Sequence, residues 1–517
     1  MVKTDHLALG DPGLMEPPQT IAILDFGGQY SQLIARRVRE QHVHSVVCPI
    51  DVTPQALARM NCVGLIFSGG PASVYEPGAP RCRPEVIDMG LPILGICYGM
   101  QVVCQMLGGE VRGARAREYG RTRLELDTPD GLLTRVPSPT LVWMSHGDVV
   151  DGVSGDFVPL ARTASCPVAA VKHVSRPIYG LQFHPEVSHT PHGSQIFRNF
   201  LFDICGCRGD WQLVDVARAA IDNIRRRVKP GEKIICGLSG GVDSSVTAAL
   251  CHEAAADQLV CIFVNNGLLR KGEVELVEST FRGHFKIDLH VVDAVDRFVD
   301  ALAGVTDPQA KRRIIGREFI EVFKAEAQGI PNARYLAQGT LYPDVIESGV
   351  SVGGQAAKIK LHHNVGGLPE QLHFELIEPL RDLFKDEVRR VGEQLGLPDD
   401  IVWRHPFPGP GLAVRIIGQV TRDRLDLLRD VDEILIDEIR AAGWYNKIGQ
   451  AFAVLLPVST VGVMGDERSY ADQHIAALRL VESIDFMTAD WVRIDQEVLS
   501  VISSRIINEV KGINRVV

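Results

Sequence analysis

Gly95-Ile96-Cys97-Tyr98-Gly99 sets a thiol in a Gly-x-nucleophile-x-Gly frame. Glycines at those two places permit a tight turn between a strand and a helix. The turn lifts the side chain clear of the sheet, and the helix N-terminus favours a thiolate. A free thiol titrates near ~8.5, so attack at neutral pH needs a base close by. His184-Pro185-Glu186 follows the apolar run 178–183. Its imidazole can take the thiol proton and return it to a departing amine, while the carboxylate two residues on fixes the tautomer. The backbone N–H groups of Gly70, in Ser68-Gly69-Gly70-Pro71, and of Tyr98 are candidates for an oxyanion hole. One such donor contributes about 3–4 kcal/mol to the transition state. His146, in Ser145-His146-Gly147-Asp148, is a rival base, but the sequence offers it no paired carboxylate at a strand end.

A second constellation is Ser239-Gly240-Gly241-Val242-Asp243-Ser244-Ser245, after the strand-like run 234–238 and opening a helix. Its glycines let successive N–H groups converge on phosphate oxygens, with hydroxyls and a helix N-terminus adding donors. Asp243 would repel a bare phosphate, so it makes sense with a Mg²⁺ ion between them. No Gly-Lys-Ser/Thr is present, which disfavours a P-loop kinase or GTPase.

The elements that must position these groups alternate. Apolar runs 21–26, 63–67 and 91–96 read as strands, and helical patterns follow at 30–38 and 98–107. This succession predicts a mainly parallel sheet covered by helices. The apolar periodicity lapses at 203–211, and further strands are expected at 234–238, 259–264 and 289–292. A glycine-rich stretch, 348–368, reads as a lid or binding loop. The 517 residues suggest about three domains. With 45% hydrophobic and 23% charged residues, disordered and fibrous classes are excluded. A net charge of −10 argues against a nucleic-acid partner. The longest uncharged run, 89–109, is broken by five glycines and a proline, so no membrane segment is expected. Eleven scattered cysteines without a C-x-x-C pair fit reduced thiols and a cytoplasmic setting. Cys205 and Cys207, flanking one glycine, leave a local metal or redox pair open.

Residues 20–207, on the Cys97 elbow, the His-Pro-Glu segment and the Ser-Gly-Gly-Pro turn, resemble the class I glutamine amidotransferases, which hydrolyse glutamine through a cysteine thioester. The resemblance implies Cys97 as nucleophile, His184 and Glu186 as its partners, and Gln101 as a contact to glutamine. The Ser-Gly-Gly-x-Asp-Ser-Ser loop is similar to that of the N-type ATP pyrophosphatases, which release AMP and pyrophosphate. Segments including Phe263-Val264-Asn265-Asn266-Gly267, Gln338-Gly339-Thr340-Leu341-Tyr342, Phe384-Lys385-Asp386 and His405-Pro406-Phe407-Pro408-Gly409-Pro410-Gly411 extend the likeness nearly end to end. Together they resemble the glutamine-hydrolysing GMP synthase family.

That resemblance implies a fold of two parallel-sheet α/β domains plus a smaller α+β C-terminal domain. Its expected limits are a flexible extension at 1–19, a glutaminase domain at 20–207, an ATP pyrophosphatase domain at 208–404 and a dimerisation domain at 405–517. It implies ATP with Mg²⁺, adenylation of XMP, displacement of AMP by ammonia, and a homodimer. Lys385 and Arg270 become candidates for charge stabilisation. Arg313, Arg404 and His405 become candidates for holding XMP, although on spacing alone solvated or turn-packing roles are equally open. Val461-Gly462-Val463-Met464-Gly465-Asp466 could reach the same site. His362-His363 reads as part of the lid rather than a metal site. Two features depart from the family: Asn265 stands where aspartate is frequent, and the sequence stops at Asn514-Arg515-Val516-Val517. Family members continue into a tail containing Lys-Pro-Pro and ending Glu-Trp-Glu; without it the XMP site lacks a lysine and a carboxylate. An amidotransferase with another adenylated acceptor is the nearest alternative.

Overall fold

The computed structural model describes residues 18–128, 130–152, 156–349, 374–459, 462–464, 467–469, 473–482 and 490–517. The extension 1–17, most of the stretch 348–368 with its two histidines, and residues 461, 465 and 466 lie outside them. The chain divides into two compact units, Met1–Gln212 and Leu213–Val517.

In the first unit the strands are β1 (Thr20–Asp25), β2 (His44–Pro49), β3 (Cys62–Phe67), β4 (Ile93–Ile96), β5 (Glu110–Leu126), β6 (Thr140–Gly152), β7 (Phe157–Arg162), β8 (Ala170–His173) and β9 (Ile178–Leu181). They form one nine-stranded sheet in the order β2-β1-β3-β4-β9-β8-β7-β5-β6. The half from β2 to β9 is parallel, and β8, β7, β5 and β6 continue it antiparallel. A mainly parallel sheet therefore describes only the half that carries the strand–helix alternation. In the other half, strands follow one another directly, and the charged, irregular run 110–126 hid the longest of them from a periodicity reading. The strands β1, β3 and β4 are buried nearly throughout, as a sheet covered on both faces requires.

In the second unit β10 (Lys233–Leu238), β11 (Leu259–Asn265), β12 (Asp288–Asp293), β13 (Ala333–Ala337) and β14 (Glu375–Ile377) make a fully parallel sheet, ordered β12-β11-β10-β13-β14. Further on, β15 (Gln450–Ser459) pairs with the strand His474–Glu482, which also pairs with Asp490–Trp491 and Ile513–Val516. Gly462–Met464 pairs with Glu467–Ser469 in a separate ribbon. The helices Arg422–Ala441 and Gln496–Glu509 bury Leu428, Leu435, Ile502 and Ile506. One hydrophobic cluster runs from Ile235 and Val264, through Leu412 and Ile416, to Leu455 and Ile506. The parallel sheet and the C-terminal layer thus share a core.

Candidate active sites

Cys97 stands between β4 and the helix Tyr98–Met106, with φ +52° and ψ −108°. A non-glycine residue rarely adopts such a conformation, and it is held here by its surroundings. Cys97 N–H donates to Leu181 O at 2.7 Å. A Cβ on Gly95 would lie 2.6 Å from Met100 N, and one on Gly99 would lie 2.2 Å from Phe67 O. Both glycines are therefore required by close packing of the helix on the sheet.

His184 follows β9 and is anchored on both sides. Its N–H donates to Trp143 O at 3.0 Å, and its carbonyl accepts from Thr190 Oγ1 at 2.7 Å. Its Nδ1 lies 2.6 Å from Glu186 Oε1, and Glu186 is completely buried. Burial alone would lower the imidazole pKa. The Glu186 charge, the hydrogen bond with the Cys97 thiol and the hydrogen bond with Glu186 outweigh it and hold the pKa well above the ordinary value. The thiol, imidazole and carboxylate expected from sequence are thus brought together. Gly69 presses on the pair: a Cβ there would lie 3.2 Å from His184 Cε1 and 3.8 Å from Cys97 Cβ. Gly70 is wedged between Phe26 O and the Tyr98 ring. Among the described residues, neither the Gly70 N–H nor the Tyr98 N–H has an acceptor.

Gln101 is buried, and its Nε2 donates to Asp148 O (3.0 Å) and Gln182 Oε1 (3.2 Å), leaving only its Oε1 for a substrate. Gln182 in turn points Nε2 at Cys97 Sγ, 3.7 Å away. Sequence reading passed over Gln182, although it lies on the strand end that delivers His184. His146 is corrected in one respect, because it does possess a carboxylate. Its Nε2 lies 3.2 Å from Glu118 Oε2, and its Nδ1 lies 3.0 Å from Asp148 O. The partner sits 28 residues away across the β5–β6 pairing, so spacing could not reveal it. Burial lowers the His146 pKa despite Glu118. Glu118, His146 and Cys166 form a buried cluster distinct from the Cys97 constellation.

In the second unit the phosphate-type loop joins β10 to the helix Val242–Ala255. Gly240 has φ +70°, and a Cβ there would lie 2.9 Å from Glu273 Oε1 and 3.1 Å from Arg404 Nη1. Ser239 N–H donates to Ser244 Oγ (3.1 Å), and Ser244 and Ser245 hydroxyls donate to Gly241 O (3.1 and 2.8 Å), which braces the turn. Asp243 Oδ2 meets Lys385 Nζ at 3.2 Å, while its Oδ1 is buried without a partner among the described residues. An orphaned buried carboxylate oxygen fits a cation of the Mg²⁺ kind. Ser239, Gly241, Val242, Asp243, Lys385, Arg404 and His405 help line a cleft of about 260 Å³.

Arg404 pairs with Glu273 (2.6 Å) and donates to Gly240 O (2.8 Å), and its Nη2 has no partner among the described residues. His405 stacks on Tyr445 with ring centroids 4.0 Å apart. Its Nε2 is 2.9 Å from Tyr445 O, and its Nδ1 accepts from Ala451 N–H, so both ring nitrogens are engaged. Burial pushes its pKa down to about 4. Arg313 is exposed on the helix Pro308–Gln328 and does not line the cleft. Arg270, a candidate for charge stabilisation, is turned to a buried Asp432 at 2.9 Å. Asn265 Oδ1 accepts from Gly267 N–H at 3.2 Å, which makes it a turn former here. Lys311 is buried and donates to Ala413 O (3.0 Å) and Ile416 O (2.7 Å), fastening the segment that follows the Pro/Gly turn. It stands in Lys311-Arg312-Arg313, of which sequence reading singled out only Arg313.

The elbow and the loop define a class: a glutaminase unit of the class I amidotransferase kind joined to a unit that uses ATP. Family patterns agree, with "Glutamine amidotransferase class-I" matching 22–204, "NAD synthase" matching 216–294 and "GMP synthase C terminal domain" matching 437–517. The glutamine-hydrolysing GMP synthase of Solidesulfovibrio magneticus is 55% identical over 508 residues, covering 97% of each chain. That of Caldanaerobacter subterraneus is 52% identical, covering 96% of each, and that of Dehalococcoides mccartyi is 51% identical, covering 100% of this chain and 96% of its own. A solved structure from Thermoplasma acidophilum, described as a putative GMP synthase subunit, is 34% identical over 37% of this chain and 96% of its own, with a TM-score of 0.34. The chain belongs to the glutamine-hydrolysing GMP synthase family.

Proposed function

We propose that the protein makes GMP from XMP, ATP and glutamine. The observation that carries this is one chain holding both a buried Cys97–His184–Glu186 constellation and a phosphate loop with an Asp243 oxygen unpartnered among the described residues. Cys97 attacks the glutamine amide carbon while His184 takes the thiol proton and Glu186 balances the imidazolium. Gly70 and Tyr98 N–H groups receive the oxyanion. His184 returns the proton to the departing ammonia, and water then releases glutamate from the thioester. Gln101 is assigned to glutamine through its Oε1.

In the second unit, residues 239–245 hold the ATP phosphates through backbone N–H groups and hydroxyls. Asp243 would hold Mg²⁺, which when bound screens the phosphate charge. Lys385 adds a cation to the same cleft. XMP supplies the 2-oxygen, whose adenylation makes AMP the leaving group that ammonia displaces. Arg404 offers its free Nη2 to an anionic group, and His405 orients the adjoining segment. Arg313 is retained as an XMP contact on resemblance alone. A homodimer built through 405–517, domain limits at 207 and 404, and a cytoplasmic setting complete the proposal. Among the described residues no helix is long and apolar enough to cross a membrane.

The test is pyrophosphate release from ATP-Mg with and without XMP, with GMP followed from glutamine and from ammonia. XMP-dependent release with GMP from both sources is expected. Release with a different acceptor, or none with XMP, overturns the assignment.

A further inference from the structure

Glu118, His146 and Cys166 bring their ligand-type atoms within 4.8 Å of one another, and the chemistry proposed above uses none of them. β5 is irregular after Gly113, and pairing resumes with Glu118 directly opposite His146 on β6. Opposed residues of an antiparallel pair project to one face, so the carboxylate and the imidazole meet, with Oε2 3.2 Å from Nε2. Glu118 Oε1 accepts from the hydroxyls of Thr163 (2.8 Å) and Ser165. Thr163 Oγ1 in turn accepts from Cys166 N–H at 2.9 Å, which closes the turn after β7 onto the carboxylate. Both Glu118 oxygens are engaged, and the Cys166 thiol donates to Val168 O (3.4 Å), so the cluster is held together by hydrogen bonds alone.

The imidazole carries this brace towards Cys97. His146 Nδ1 lies 3.0 Å from Asp148 O, and a carbonyl oxygen only accepts. Nδ1 therefore bears a proton, and one further proton is shared between Nε2 and Glu118 Oε2, whichever of the two holds it. The same Asp148 oxygen accepts from Gln101 Nε2 at 3.0 Å, which settles that the Oε1 end of the Gln101 amide is the one left for a ligand. Three residues earlier, Ser145 O accepts from the Cys97 thiol at 3.6 Å. The segment 145–148 thus touches both Cys97 and Gln101, and His146 ties it to Glu118.

We propose that Glu118 is a positioning residue for glutamine, acting through His146 on Asp148 O and so on Gln101. The proposal rests on reading the first unit as a glutaminase with Gln101 at the substrate. Cys97 and His184 take their places from the ends of β4 and β9, so loosening 145–148 weakens glutamine binding more than the chemical step. Glutamine at position 118 can stand in for the carboxylate. Its Oε1 accepts from the two hydroxyls and its Nε2–H donates to His146 Nε2, which leaves Nδ1–H on Asp148 O. Alanine does neither.

The test is glutamate release by the full chain with XMP and ATP-Mg, with KM for glutamine and kcat read separately. Glu118→Ala should raise KM by about tenfold, as for one lost hydrogen bond, with kcat within about threefold. Glu118→Gln should return KM to within about twofold of the wild type. His146→Phe fills the same space without the relay and should raise KM as Glu118→Ala does. The two act in series, so the double variant should raise KM no further. Iodoacetamide should alkylate Cys97 at the wild-type rate in every variant, as its peptide would show. The proposal is overturned if KM is unchanged in either single variant, if the effects multiply in the double variant, or if Glu118→Gln is as impaired as Glu118→Ala. His146→Phe decides alone where Glu118→Ala is not recovered folded. A rise in wild-type KM on adding a zinc-selective chelator would make the cluster a metal site and equally overturn the brace. A wild-type chain that releases no glutamate overturns the glutaminase reading, and this proposal with it.

Discussion

Replacing Glu186 by glutamine changes one buried charge and little else. Glu186 Oε1 is 2.6 Å from His184 Nδ1. Unit charges at that distance attract by about 6 kcal/mol at an effective dielectric of ~20. Glutamine keeps a neutral hydrogen bond to Nδ1–H, roughly half as strong as a charge-assisted one. The imidazolium formed as Cys97 loses its proton is then less stable by about 3 kcal/mol, which is about a hundredfold in rate. Glutamate release from glutamine should fall by about two orders of magnitude while ammonia-dependent GMP formation is unchanged. The sign of the pH effect also follows. Glu186 helps hold the His184 pKa above its ordinary value, so in Glu186→Gln the imidazole stays neutral to lower pH and the acid limb of the glutaminase profile moves down. Undiminished glutamate release, or an equal fall in ammonia-dependent synthesis, would refute the assignment of Glu186 to this step.

Asp243→Asn should reduce XMP-dependent pyrophosphate release by at least about a hundredfold and raise the Mg²⁺ needed, while glutaminase chemistry persists, as parallel assays would show. Gly69→Ala should slow glutaminase turnover by about tenfold, since its Cβ would press on His184 Cε1 at 3.2 Å; an unchanged rate would mean the imidazole is free to shift. Lys311→Met leaves two buried carbonyls without a donor and should cost about 2–4 kcal/mol in urea unfolding of the second unit. His405 has its pKa lowered to about 4 from 6.5, so its contribution to stability is lost as pH falls from 6.5 towards 4. That gap corresponds to at most about 3.5 kcal/mol. His405→Phe, which keeps the stack on Tyr445, should flatten this slope in acid titrations, and an unchanged slope would assign it to other groups.

The candidate reacting groups were legible because local chain geometry fixes them. A nucleophile elbow and a phosphate loop are each written within about ten residues of sequence. The parallel strands around them follow from apolar runs bounded by glycine. Partners drawn from distant strands were not legible: Glu118 reaches His146 across a hairpin pairing, and Asp432 captures Arg270 from 162 residues away. The antiparallel half of the first sheet was also missed, because its longest strand is a charged, irregular run and no α-helix separates β5 from β6. Arg313 shows the converse case, since a basic run beside a family motif resembles a binding element whichever residue faces solvent. Its buried neighbour Lys311 holds the backbone instead.

The continuous core of the second unit bears on how that unit can be dissected. Leu412, Ile416, Leu455 and Ile506 pack in the same cluster as Ile235 and Val264. A fragment ending near residue 404 would turn that apolar surface to water and lose the segment that Lys311 grips. It should be recovered as aggregate or as a loosely packed species that binds hydrophobic dyes. By the same token, residues 213–517 should melt in one calorimetric transition, because the shared cluster ties the C-terminal layer to one face of the parallel sheet, while the other face has its own cluster within 217–402.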